Sequence, residues 1–172
     1  MDREILFSES LIAERVKAMA QRIAAAPVKP QVASPILVGA YVFAADLLRA
    51  LAHEGISLPT EFLWLRSYVG RTATKGISVL VGPNENFRDK NVLVIDGVLD
   101  GGHTIRRARE LALEYGARSV QSVVMVDKLR PDAVAKADYA AFTRVADFIV
   151  GYGMDDAGAD RALPYIAKAG LL

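Results

Sequence analysis

The stretch from Asn91 to Val126 constrains the fold more than any other part of this chain. Asn91 to Asp96 reads as an apolar strand, Thr104 to Tyr115 as a helix with Gly116 behind it, and Val120 to Val126 as a further strand. Two strands joined through a helix form a βαβ unit, whose parallel sheet must be covered on both faces. The rest of the chain follows the same alternation. Ser8 is placed to cap a helix whose apolar residues Ile12, Val16, Met19 and Ile23 fall on one face, and Pro27 and Pro30 end it. Ile36 to Gly39 is a short apolar run, and Ala40 to Glu54 an alanine- and leucine-rich helix closed by Gly55.

Glu61 to Ser67 and Ile77 to Val81 carry the aromatic and β-branched residues of strands. Between them, Tyr68 to Gly76 has the composition of a surface loop or lid, or of an ordinary hairpin connection. Tyr139 to Phe142 and Phe148 to Val150 read as later strands, followed by an acidic stretch and a tail containing Leu163 to Ile166. At 172 residues this is one α/β domain, with an open, mostly parallel sheet and helices on both faces.

Composition narrows the function. The 21 basic and 20 acidic side chains are interspersed, which is not the footprint of a nucleic-acid binder. With no cysteine there is no disulfide, thiolate metal site or cysteine nucleophile. No apolar run approaches the roughly 18 to 20 residues of a membrane span, and the charged N-terminus is unlike a signal peptide. A cytoplasmic protein is the expectation.

Residues 97 to 104 join the βαβ strand to its helix, where open α/β sheets bind ligands. Gly101 and Gly102 permit a tight turn with amide hydrogens facing an anion, and Thr104 adds a hydroxyl in the first helical turn. Asp96 and Asp100 stand on an otherwise apolar segment and suit metal or hydroxyl binding and acid/base work. The plainer alternative is that Asp96 ends the strand and Asp100 makes a local turn bond. Neither the Walker loop nor the dinucleotide fingerprint fits the segment.

The segment resembles the phosphoribosyl pyrophosphate motif of type I phosphoribosyltransferases. Ala40 to Leu48, Ser67-Tyr68, Val126 to Lys128, Phe148 to Tyr152, and Arg161 followed by Leu163 to Ile166 resemble, in order, the hypoxanthine-guanine branch. The resemblance implies a small hood built from the terminal segments, a magnesium ion, and transfer of a 5-phosphoribosyl group to hypoxanthine or guanine. It implies that Asp100 is the general acid/base near the purine N7, and that Gly101, Gly102, His103 and Thr104 surround the 5′-phosphate. His103 stands at the motif's variable position.

By the same resemblance Lys128 faces the purine O6, Phe148 stacks on the base and Ile149 offers its backbone to the purine edge. An ammonium only donates, so it favours a 6-oxo acceptor over the amino group of adenine. Asp155 helps to hold magnesium, Arg161 contacts pyrophosphate, and Ser67 and Tyr68 begin a lid. On composition alone, Lys128 is a solvated lysine, Phe148 a core phenylalanine and Asp155 a turn aspartate. A dimer or tetramer is the implied assembly.

Two positions depart from the family pattern. An acidic pair usually holds magnesium and the ribose hydroxyls, where this chain has Asp96 followed by Gly97. In the pyrophosphate loop, Val38 replaces a lysine before Gly39. A nucleotide- or phosphoribosyl-pyrophosphate-sensing regulatory protein of the same fold is therefore an alternative to the enzyme, as is a transferase preferring xanthine.

Overall fold

A computed structural model describes residues 3–69 and 75–169. The first strand, β1 (Ile5–Phe7), leads into α1 (Glu9–Ala25), whose N-cap Ser8 accepts a hydrogen bond from the Leu11 N–H at 3.3 Å. The expected face is the buried one: Ile12, Val16, Met19 and Ile23 are all within the core. Then follow β2 (Val32–Leu37), α2 (Tyr41–His53), β3 (Leu63–Val69), β4 (Lys75–Val81), a single 3-10 turn at Glu85–Phe87 and β5 (Asn91–Leu99). The chain continues through α3 (His103–Glu114), β6 (Ser119–Asp127), β7 (Tyr139–Thr143), β8 (Ile149–Val150) and β9 (Ile166–Lys168).

Six strands form the main sheet in the order β4-β3-β2-β5-β6-β7, all pairs parallel except the edge pair β3/β4. Side chains alternate across it, as the two-residue period of a strand requires. Leu93 and Ile95 of β5 pack with Phe43 and Leu47 of α2 and with α1. Val92 and Val94 pack with Ile105 and Ala108 of α3 on the opposite face. The βαβ unit of the sequence is the β5-α3-β6 centre of this sheet.

The remaining strands form a small antiparallel sheet in the order β1-β9-β8. This is the hood implied by the family resemblance, and it brings both terminal segments together. Phe7 stacks on Phe142 of β7, with ring centroids 3.8 Å apart, which fixes the hood's first strand to the far edge of the main sheet.

Several boundaries differ from expectation. Among them, β2 runs over Val32–Leu37 where the expected strand is Ile36 to Gly39, and two short strands, β1 and β9, are not expected at all. The central strand does not stop at Asp96 but runs to Leu99, because β6 is long enough to pair Val98 with Val126 and Leu99 with Asp127. The connection expected as a loop from Tyr68 to Gly76 is partly ladder: Tyr68 pairs with Gly76 and Val69 with Lys75, so Ser67 and Tyr68 belong to a strand. The centre of the expected lid, residues 70–74, lies outside the described residues. The strands β1 and β9 have only three residues each, too few to show a period in sequence. Among the described residues no helix is long and apolar enough to cross a membrane.

Candidate active site

At the carboxyl ends of the parallel strands lies a cleft of about 460 Å³. Val38 and Gly39 after β2, Ser67 on β3, Asp96 and Asp100, Lys128 after β6, and Phe148, Ile149, Asp155 and Arg161 from the hood side all line it. A second hollow of about 340 Å³ adjoins it, lined by Gly101, Gly102, His103 and Thr104, with Asp96 and Asp100 on the boundary. Residues up to 123 positions apart in sequence, Val38 to Arg161, thus converge on one site.

The turn between β5 and α3 requires its second glycine. Gly102 has φ +77° and caps α3, and a Cβ there would stand 2.8 Å from the Ala135 backbone nitrogen. The loop is tied to the segment after β6: the Val134 N–H donates to the Gly101 carbonyl and the Lys128 N–H to the Leu99 carbonyl, both at 3.0 Å. Asp127 shapes that segment by accepting the Leu129 N–H at 2.8 Å, which turns the chain and sends Lys128 back over the cleft.

Lys128 keeps only 11% of its side-chain exposure, and its Nζ lies 3.3 Å from Asp100 Oδ2. Asp100 Oδ1 accepts from Arg130 Nη1 at 2.9 Å. Desolvation is the largest single influence on Asp100 and would raise its pKa. The hydrogen bonds and charges of Arg130 and Lys128 together outweigh it and hold the carboxyl below the usual carboxylate range. Asp96, four residues earlier, behaves oppositely: burial pushes its carboxyl up to about 7, although the Gly97 N–H hydrogen bond at 2.7 Å pulls the other way. Two carboxylates on one segment are thus set to different protonation behaviour.

The two departures from the family pattern lie side by side. The Leu37-Val38 peptide is cis. The Gly39 carbonyl oxygen is packed so closely that a Cβ on Gly97 would meet it at 3.1 Å, and one on Gly153, at φ +97°, would meet it at 2.4 Å. Gly97 therefore provides room for the loop after β2 where a larger residue would press on it. Val38 itself is 41% exposed at the cleft wall.

On the hood side Arg161 donates from Nη1 to the Gly153 carbonyl at 2.7 Å, while its Nη2 pairs with Asp155 Oδ1 at 2.6 Å. The other oxygen of Asp155 accepts the Gly158 N–H at 2.6 Å. Asp156, beside it in sequence, does not line the cleft. Phe148 is 60% exposed at the mouth, so it is not the core phenylalanine that composition suggests.

Two arginines escaped sequence reading. Arg130 bonds Asp100 across thirty positions. Arg66 lines the cleft on β3, two residues beyond the Trp64 that pairs with Leu37. It has no ion pair among the described residues. Nothing in their local sequence distinguishes either from a solvated arginine.

Among the described residues no group of three or more acidic or histidine side chains could cage a metal. Magnesium does not need such a cage, because it is held by one or two carboxylates together with substrate phosphates and water. Asp96 and Asp155 both line the cleft and carry carboxylates that could serve in that way.

The phosphoribosyl transferase domain family matches residues 3–157. Hypoxanthine-guanine phosphoribosyltransferase from Dictyostelium discoideum is 31% identical over 98% of this chain and 96% of its own length. Hypoxanthine phosphoribosyltransferase from Escherichia coli strain K12 is 32% identical over 80% of this chain and 76% of its own. Among solved structures, hypoxanthine phosphoribosyltransferase from Staphylococcus aureus superposes with a TM-score of 0.87 at 29% identity, covering 97% of this chain and 91% of that one. The Trypanosoma cruzi enzyme in complex with the product IMP gives 0.86 at 29% identity, covering 96% and 92%. By the family match, the identities over most of both chains and the superposition, the chain belongs to the phosphoribosyltransferase family, in its hypoxanthine-guanine branch.

Proposed function

We propose that this chain is a purine salvage enzyme that transfers the 5-phosphoribosyl group of phosphoribosyl pyrophosphate to N9 of hypoxanthine or guanine. The products are IMP or GMP and pyrophosphate. The observation that carries the reading is the pair of Asp100 and Lys128, with Nζ and Oδ2 3.3 Å apart, standing between a phosphate-cradling loop and the exposed ring of Phe148.

In this reading the amides of Gly101 to Thr104 and the start of α3 bind the 5′-phosphate. Phe148 stacks on the base and Ile149 lies along its edge. Lys128 donates to O6, which selects 6-oxopurines, xanthine included, over adenine. Asp100 lies near N7 and takes the N7 proton as the N9–C1 bond forms and the bond from C1 to pyrophosphate breaks. The ribose gains oxocarbenium character as pyrophosphate leaves, so the site contributes mainly position and electrostatics. Arg161, beside the Val38-Gly39 loop, stabilises the departing oxygens. Asp96 and Asp155 would hold the magnesium ion, which would supply positive charge to the pyrophosphate. Ser67, which lines the cleft, and Tyr68 begin the lid in this reading. A homodimer or homotetramer is part of the reading, supported by the exposed apolar residues Phe62, Leu80 and Val81 at the sheet edge.

The test is pyrophosphate release with phosphoribosyl pyrophosphate, magnesium and each of hypoxanthine, guanine, xanthine, adenine and uracil. Release with the 6-oxopurines and none with adenine or uracil is the expected outcome. Tight binding of phosphoribosyl pyrophosphate without release would mean a sensor in place of an enzyme.

A further inference from the structure

The segment after β6 puts a second cation on Asp100. Arg130 donates from Nη1 to Asp100 Oδ1 at 2.9 Å, and Nε and Nη2 of the same guanidinium grip Asp132 at 2.9 and 2.8 Å. Lys128 is on the other carboxylate oxygen. The two cations differ in what substrate would do to them. Lys128 is the cation that the proposed function engages with a purine O6, so its ammonium is shared between Asp100 and the base. Arg130 is anchored by Asp132, and its segment is hydrogen-bonded to the phosphate loop on both sides, at Leu99 and Gly101. It stays.

We infer that Arg130 is a positioning residue that holds Asp100 as an oriented, charged carboxylate while Lys128 is engaged with the base. The inference rests on the reading of Asp100 as the acid/base group. A planar guanidinium can bond one carboxylate with one nitrogen and a second with the other two, which an ammonium cannot do with the same geometry. Its charge persists at every pH at which the protein is folded. The other charged or titratable groups lining the same hollows as Asp100 are Lys128 and Asp132 on the same segment, Asp96 on β5, His103 at the start of α3, Arg66 on β3, and Asp155 and Arg161 on the hood side. Of these, the only cation paired with Asp100 among the described residues is Lys128.

The test compares pH profiles of kcat/KM for hypoxanthine in the wild type, Arg130→Met, Arg130→Lys and Asp100→Asn. Losing the guanidinium should move the titration of the Asp100 carboxyl, and the part of the acid limb that it sets, to higher pH by about one unit, the low end of what an arginine does to a neighbouring aspartate. Arg130→Lys should restore part of that displacement, since charge returns without the shared fork. Arg130 is 48% exposed, so the fold has room for both variants. Carbon-13 NMR titration of the Asp100 carboxyl in the free protein reads the same shift independently of turnover. Superimposable profiles and titrations for wild type and Arg130→Met would overturn the inference. A kcat/KM in Asp100→Asn within a few-fold of the wild-type value would instead refute the role of Asp100 on which the inference depends.

Discussion

Replacing Gly102 by alanine strikes the point where backbone conformation and the site's framework meet. The residue has φ +77°, a left-handed conformation that costs an ordinary residue about 1 to 2 kcal/mol. The new methyl would also stand 2.8 Å from the Ala135 nitrogen and 3.2 Å from its Cβ and carbonyl oxygen, all parts of a backbone that cannot swing aside like a side chain. Overpacking of that kind costs about 1 to 3 kcal/mol. Restricting the unfolded chain offsets about 0.4 to 1 kcal/mol. The net is a loss of about 1 to 4 kcal/mol, or a fall in Tm of about 5 to 10 °C near the middle of that range for a chain of this size.

Relief of the clash by moving Ala135 outward would strain the Val134-to-Gly101 hydrogen bond, so weaker phosphoribosyl pyrophosphate binding should accompany the fall in Tm. Calorimetric melting and isothermal titration measure the two effects. Gly101→Ala is the matched control, because its Cβ would meet only the His103 ring, at 3.3 Å, and that ring can rotate away. Wild-type Tm and affinity in Gly102→Ala, or equal losses in both variants, would refute the reasoning.

Four further outcomes are expected. Asp100→Ala should lower kcat by about 10²-fold or more with modest change in KM, the usual scale of acid/base contributions, as read by steady-state kinetics. Arg66→Met should raise the inhibition constant of pyrophosphate while leaving that of a free purine base unchanged, since Arg66 lies on the wall shared with Val38 and Gly39; an unchanged pyrophosphate constant would remove it from the site. Gly97→Ala should lower stability in urea titrations by less than Gly102→Ala does, because its Cβ would meet the Gly39 carbonyl at 3.1 Å and needs no left-handed backbone. Asp96 has a folded-state pKa raised from 3.8 to about 7, so the native state binds more protons than the unfolded state between those values. Without magnesium, its contribution to stability therefore falls as pH rises from about 4 to 7, and Asp96→Asn should flatten that slope in urea titrations.

The sequence was most legible where periodicity and caps agree locally. Ser8 with Ile12, Val16, Met19 and Ile23 specifies α1 without help from the rest of the chain, and the structure buries that face. The cleft residues Asp100, Lys128, Asp155 and Arg161 could be named by resemblance, although only the fold brings them onto one wall. What escaped depends on partners far away in the chain. Asp96 looked like a strand end, yet the length of β6 carries the ladder on to Leu99. The β1 and β9 strands exist because they pair with each other, Ile5 opposite Ala167. Arg130 gained meaning only from Asp100, and Gly97 only from the Gly39 carbonyl it leaves room for.

That last residue revises the strongest doubt raised by the sequence. A missing carboxylate at position 97 looks at first like a lost ligand. In three dimensions the glycine is also part of a close-packed junction with Gly39 and Met154, where a bulkier residue would press on the loop after β2.

The measurement that tests the central claim most directly is the ratio of kcat/KM for hypoxanthine to that for adenine, at saturating phosphoribosyl pyrophosphate and magnesium. A donor-only ammonium at Lys128 predicts a ratio of about 10² or more in the wild type and a clear collapse of it in Lys128→Met, since unpaired polar groups in a built site reject the wrong substrate strongly. A ratio near one in the wild type, or no nucleotide formed from either base, would contradict the account.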